Sequence, residues 1–411
     1  MKNKYKSTLI SCYIGYITQS IVVNLTPLFF VIFQRDFGFS YSFLASLVLI
    51  TFVIQIAVDF LAIKIVPKLG YRKIAVMSQV SSAIGVLMLA CLPKILPDPG
   101  AAVLCAVFFY SAGGGMIEVV ISPIVDALPS DAKESSMSLL HSFYSWGQVL
   151  VILVTTLLIK LFGESMWYAV TLIWAVIPCV NIFNFLKVPI IEPLPEETTH
   201  SKRQLIKSRV FLLALFMMVC SGAAEQVMAQ WASLFCEKGL HVSKLAGDIF
   251  GPCLFAAFMG IGRTLYGIFG EGINLRRTLM CCSAFTVLCY LAAVFSGSPV
   301  LSLMGCALCG LGVSLMWPGM LSLSSSRFNG GPSMFAMLAL GGDVGCSLGP
   351  YLTGIVSDLV SSSDKASSLA GNIGITSEQL GLKAGIFSGI VFPLFLLVGS
   401  FLMRGKVKGH R

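Results

Sequence analysis

Apolar residues dominate this chain in long unbroken runs, and short polar stretches separate them. Runs of about 20 apolar residues recur, the length a helix needs to cross ~30 Å of hydrocarbon. Strands left open in lipid would leave backbone groups unpaired, so the spans are expected to be helices. The alternation of a membrane barrel is missing. Twelve spans can be drawn: roughly 8–33, 42–66, 74–93, 101–125, 137–160, 166–187, 209–235, 246–269, 278–296, 299–324, 333–358 and 384–403. The start, "MKNKYKSTLI", leads into a full-length span and reads as a retained first helix.

The longest polar break, "VPIIEPLPEETTHSKRQLIKS" (188–208), carries three prolines and divides the spans six and six. The expected organisation is an N-terminal six-helix bundle (1–188), a linker (189–208) and a C-terminal six-helix bundle (209–411). A second polar stretch, 361–383, has room for a short surface helix. A weak repeat supports the two halves. Gly115 precedes Pro123 in span four as Gly310 precedes Pro318 in span ten, and Glu118 then aligns with Val313. Repeated halves with a solute site at mid-membrane are a common transporter plan.

Composition agrees: 56% of residues are hydrophobic and 11% charged, with a mean hydropathy of +0.87. The net charge of +9 does not form one patch, so no nucleic-acid partner is expected. With both termini placed in the cytoplasm, 18 loop and terminal lysines and arginines fall inside. They include Lys2, Lys4, Lys6, Lys68, Arg72, Lys73, Arg276, Arg277, Arg404, Lys406, Lys408 and Arg411. Only 7 fall outside: Arg35, Lys94, Lys160, Lys238, Lys244, Lys365 and Lys383. This bias orients the chain as a multi-pass protein of the cell membrane. The 13 cysteines lie almost wholly in apolar spans, where cysteine acts as a small apolar residue. The Cys306–Cys309 pair has no histidine or acid beside it, so no metal or redox role is assigned.

Against that background Glu118, in "GGGMIEVVISP" (113–123), stands out. An ionised carboxylate at mid-span costs at least ~2.5–3.5 kcal/mol. A chain avoids this by protonating the acid, pairing it or facing it to water, and an acid that alternates between these states carries protons. The competing reading is a neutral acid bonded between helices. His141 lies near the start of span five, at a depth within ~5 Å of Glu118, and is a candidate relay or a helix-packing histidine. Glu225, near the middle of span seven, is a second proton-carrying candidate. Beside it Gln226, Gln230 and Trp231 suit a sugar, since amides pair with hydroxyls and an indole face packs on a pyranose. Arg263 and Asp343 are deep opposite charges in spans eight and eleven, expected to pair for structure or gating. Asp59 and Lys64 form a similar candidate pair in span two. No phosphate loop, nucleophile–base spacing or metal-ligand spacing is seen, so neither an enzyme nor ATP-driven transport is expected, and no cofactor.

These stretches resemble the major facilitator superfamily, and within it the fucose/galactose/glucose–proton symporter branch. "GGGMIEVVISP" with "MSLLHSFYSWGQ" (137–148) is similar to that branch's fourth and fifth helices. There Ser122 stands where the branch has asparagine, and His141 falls inside the fifth-helix motif. "GAAEQVMAQWASLF" (222–235), "GIGRTLYG" (260–267) and "MWPGMLSL" (316–323) resemble its seventh, eighth and tenth helices. "GGDVGCSLGPYLTGIVSD" (341–358) resembles the eleventh helix of related permeases. The superfamily's cytoplasmic loop motif is partly kept in "KLGYRK" (68–73), with Arg72. It is better kept in "GIFGEGINLRR" (267–277), with Glu271 and Arg276, which adds these three residues to the gating candidates. The branch's first-helix acid has no counterpart in "YITQSIVVNLTPLFF" (16–30). The amides Gln19 and Asn24 stand there and join the solute-binding candidates.

The resemblance implies the all-α, twelve-helix major facilitator fold, working as a monomer. It implies proton symport of a small polar solute, a monosaccharide first, by alternating access. Two other readings stay open. One is a permease or exporter of the same fold for a drug, nucleoside or organic acid, which a cavity rich in Phe108, Phe109, Trp317 and Phe335 would favour. The other is a transporter-like membrane sensor that binds without translocating, against which the short loops count.

Overall fold

A computed structural model describes residues 5–39, 41–129, 133–192, 202–242, 246–247, 249–328 and 331–403. Lys2, Lys4, Lys244, Arg404, Lys406, Lys408, Arg411 and linker residues 193–201, all used in the readings above, lie outside them. Among the described residues there is helix and no strand. The chain forms two compact units, Met1–Gln204 with Phe328–Leu340, and Leu205–Arg327 with Gly341–Arg411.

The first unit holds α1 (Lys6–Leu28), α2 (Phe30–Phe37), α3 (Tyr41–Leu69), α4 (Tyr71–Ile95), α5 (Pro99–Ala127), α6 (Lys133–Phe162) and α7 (Trp167–Lys187). After α8 (Lys202–Lys207) come α9 (Arg209–Leu234), α10 (Leu254–Phe269), α11 (Leu275–Phe295), α12 (Pro299–Val313) and α13 (Met316–Phe328). The chain ends with α14 (Pro332–Ser361), α15 (Asp364–Asn372), α16 (Ser377–Ser388) and α17 (Val391–Leu402).

Among the described residues ten segments are long and apolar enough to cross a membrane. The two remaining spans fall on α3, whose apolar stretch is Ser46–Ala62, and on α14. This is the twelve-helix architecture. Lys6–Leu28 and Ile249–Phe269 are the least apolar of the ten. Helix surfaces such as Leu153, Leu157, Val176, Val180 and Phe183 are exposed and apolar, as a lipid-facing surface requires.

Local chemistry sets the ends and breaks. Asp98 caps α5 by accepting from Gly100 N and Ala101 N, with Pro99 at the first helical position. Span one is two helices rather than one, broken at Phe29, whose N–H donates to Thr26 O at 3.0 Å. Span ten is interrupted at Ser314–Leu315, and span twelve at Gly389–Ile390. In both, the interruption starts four residues before a proline, Pro318 or Pro393, whose missing N–H leaves that carbonyl without its helical donor. The surface helix expected in 361–383 is α15.

The core of the first unit includes Ile21, Leu25, Phe29, Phe33, Val103 and Trp167, all essentially inaccessible. Trp167 meets Phe33 edge-on at 5.1 Å between ring centres, a favoured aromatic geometry. Outside the membrane, hydrogen bonds to Asp36 and then Glu164 raise the Arg35 guanidinium above its ordinary pKa.

Arg72 lies in the first turn of α4, behind Gly70, whose φ of +82° suits glycine. Its guanidinium donates to Phe185 O at 2.8 Å, Leu186 O at 3.1 Å and Val188 O at 2.8 Å. A cation there also complements the dipole at the end of α7. Lys64 does not pair with Asp59. It is exposed and sits 5.9 Å over the Phe60 ring, while Asp59 is fully buried. Five helical residues turn the two side chains about 140° apart, so they leave α3 on different faces.

Candidate functional site

In the first unit, α1, α3, α5 and α6 bring a polar cluster together inside an apolar bundle. Glu118 on α5 is half-buried and accepts from Gln19 Nε2 on α1 at 3.5 Å. One turn further along each helix sits a second group. Tyr16 on α1 meets Ser122 on α5 at 3.0 Å and His141 Nε2 on α6 at 3.2 Å. Ser122 and His141 are themselves 3.4 Å apart. The Tyr16 and His141 rings lie 4.6 Å apart between centres. The spacing 16/19 on one helix and 118/122 on the other makes this possible, because residues three and four apart share a helix face. His141 therefore stands one turn along α5 from Glu118.

Gln55 on α3 joins the cluster. It is buried, its Nε2 has no hydrogen-bond partner, and neither has Gln19 Oε1. Both atoms would lie 2.7 Å from a Cβ placed on Gly114. The absence of a side chain at Gly114 thus leaves room for both buried amides against Glu118's helix. Buried polar atoms without partners are few in native proteins, and two adjoining ones suit a hydroxylated ligand. Gly114→Ala puts a methyl group between these amides. The solute concentration for half-maximal uptake is expected to rise about tenfold, read from initial rates in proteoliposomes; unchanged rates would place the solute elsewhere.

Asn24 is turned onto its own helix, donating to Ser20 O at 2.9 Å. In the second unit, Glu225 and Arg263 form a buried ion pair, Nη2 to Oε2 at 2.9 Å, with side chains 9% and 2% exposed. Arg263 Nε also donates to Ser314 O at 2.8 Å. Glu225, the second proton-carrying candidate of the sequence, is thus an ionic partner of the arginine. Asp343, the partner expected from the sequence, is buried on α14. Gln230 donates to Gln226 Oε1 at 3.2 Å across one turn of α9. Trp231 commits its N–H to Pro350 O at 3.1 Å, which leaves only its ring for a ligand. Glu271 is exposed in the turn before α11, Arg276 is half-buried at the start of that helix, and the two are not paired with each other. Arg72 is occupied at the end of α7.

Tyr16, Ser314 and Gln55 carry no charge and sit in apolar spans, so composition does not mark them. Gln55 leaves one trace, a lone amide in "FVIQIAVDF" (52–60).

The Major Facilitator Superfamily model matches residues 12–350. The chain belongs to the major facilitator superfamily. Among solved structures, this facilitator superposes on the E. coli fucose:proton symporter FucP with a TM-score of 0.76 at 13% identity, covering 98% of this chain and 100% of that one. The proton:xylose symporter XylE gives 0.73 at 11% identity, with 95% of each chain covered. The human organic anion transporter MFSD10 gives 0.71 at 15%, covering 98% and 100%. At these identities the likeness is one of fold. No curated protein matches the sequence. The facilitator is a multi-pass membrane transporter of small solutes, not an enzyme.

Proposed function

We propose that this facilitator is a proton symporter for a small polar solute, with a monosaccharide as the solute. Glu118 carries the reading. It is an acid in the middle of an apolar span, set against an amide and one turn from a Tyr–Ser–His group. In this scheme Glu118 takes a proton while the site is open to the outside, which removes the cost of its charge and favours solute binding. The proton leaves when the site opens inward. Span four runs inward, so Ser122, Tyr16 and His141 lie on the cytoplasmic side of Glu118 and offer the exit route. The unpartnered amide atoms of Gln19 and Gln55 meet solute hydroxyls; within the second unit Gln226 and Gln230 are the solute-binding candidates. Glu225 is the second candidate acid. Both termini are cytoplasmic, and one chain is the working unit. Two of the solved folds above belong to sugar–proton symporters, and the pairing of amides with an acid fits a neutral hydroxylated solute.

A second reading takes an organic anion as solute. The fold likeness to the human organic anion transporter and the buried Arg263 favour it. Proteoliposomes holding the purified protein decide between them. A labelled hexose and pentose panel, run beside small carboxylates, is assayed with and without an inward proton gradient. Gradient-driven accumulation of a sugar is expected. Accumulation of carboxylates alone would overturn the sugar assignment, and sugar uptake indifferent to the gradient would overturn symport.

A further inference from the structure

Pro318 has no N–H, so Ser314 O, four residues earlier, loses its helical donor. The α12–α13 ladder is interrupted at that point. Arg263 supplies the missing donor from another helix, Nε to Ser314 O at 2.8 Å. The same planar guanidinium gives Nη2 to Glu225 on α9 at 2.9 Å. One side chain on α10 thus joins a buried acid to the orphaned carbonyl of span ten. Trp317, beside Pro318, lies against Gly342 of α14, where a Cβ would overlap its ring. A shift at the break is therefore felt by α14 as well.

We infer that Arg263 is a positioning residue that ties the charge state of Glu225 to the break in span ten. The inference rests on the proton-coupled reading above. While Glu225 is ionised, the ion pair holds the guanidinium with Nε on Ser314 O, and the break is braced. When Glu225 takes a proton, the guanidinium keeps its charge but loses the carboxylate's pull on Nη2, its hold on Ser314 O loosens, and span ten bends more freely. Lysine cannot do both tasks, because its ammonium is a point charge without the second N–H of a fixed fork.

The other ionisable groups at this locus are Tyr290 on α11, Cys309 on α12 and Asp343 on α14. The Tyr290 hydroxyl is committed to Ala224 O at 2.9 Å, and Cys309 is fully buried. Asp343 is the unit's other buried acid on these helices.

The test uses the full chain in lipid nanodiscs and backbone deuterium exchange over residues 311–322. Glu225→Gln and Arg263→Lys are expected to speed exchange there severalfold, with α9 and α10 otherwise unchanged. Pro318→Ala restores a backbone donor to Ser314 O. It is expected to slow exchange alone and to remove most of the acceleration in the Arg263→Lys/Pro318→Ala double variant. If Arg263→Lys does not fold, Glu225→Gln against Glu225→Gln/Pro318→Ala makes the same comparison. Wild-type exchange in Glu225→Gln, no reversal by Pro318→Ala, or acceleration in Asp343→Asn but not in Glu225→Gln each overturns the inference. No solute and no change at Glu118 enters the measurement. A flat result beside intact proton-driven uptake therefore removes this inference and leaves the symport reading standing.

Discussion

Glu118→Gln is expected to abolish solute accumulation and to leave exchange intact. Glutamine keeps the shape and the hydrogen-bonding reach toward Gln19, but it binds no proton. A one-proton symporter under an inward gradient of about two pH units can hold about a hundredfold accumulation, since each unit corresponds to about 1.36 kcal/mol. The variant is expected to reach a ratio of about one under the same gradient. Counterflow with equal solute on both sides asks only for binding and alternation, so it should persist at a rate near that of the wild type. Loss of both activities would show that the side chain is needed for binding or folding. Unchanged accumulation would make Glu118 structural and move the coupling question to Glu225.

Arg263→Met should cause the largest stability loss of any single substitution considered. It leaves Glu225 buried without this cation and Ser314 O without its donor. Breaking a buried ion pair by removing one partner costs about 3–5 kcal/mol, and an unsatisfied buried carbonyl adds about 1–3 kcal/mol. Arg263→Met combined with Glu225→Leu should recover the first part, because the orphaned charge is gone, and retain the second. Thermal unfolding of the purified variants reads both. Equal melting temperatures for wild type and Arg263→Met would mean that the pair contributes little to the fold.

The twelve spans were legible because lipid demands one thing of every residue in a run, and hydropathy measures it. Glu118 was legible for the converse reason: a charge within such a run is costly and needs an explanation. What stayed hidden was rotation about the helix axes. The sequence offers Arg263 two buried acids, Glu225 and Asp343, and spacing alone does not show which face each one takes. Asp59 and Lys64 look like a pair on the page and are turned apart on the helix. Tyr16 is unmarked in the sequence and Ser122 is marked only by the asparagine it replaces; their contact with His141 emerges when α1, α5 and α6 are set side by side. The break in span ten follows from Pro318, but that an arginine from another helix would meet the freed carbonyl of Ser314 follows only from the packed fold.

Of the ten segments long and apolar enough to cross a membrane, the two least apolar, Lys6–Leu28 and Ile249–Phe269, carry Tyr16 with Gln19, and Arg263. This has a consequence for how the protein is made. As the chain leaves the ribosome, these segments have the weakest tendency of the ten to partition into lipid by themselves. Their polar groups find partners only on helices that differ in time of synthesis: α5 and α6 come after α1, while Arg263 meets Glu225 already made and Ser314 yet to come. Each unit's polar cluster therefore depends on helices made at different times during biogenesis, and the segments that carry Tyr16, Gln19 and Arg263 are among those the translocon is least able to release unaided.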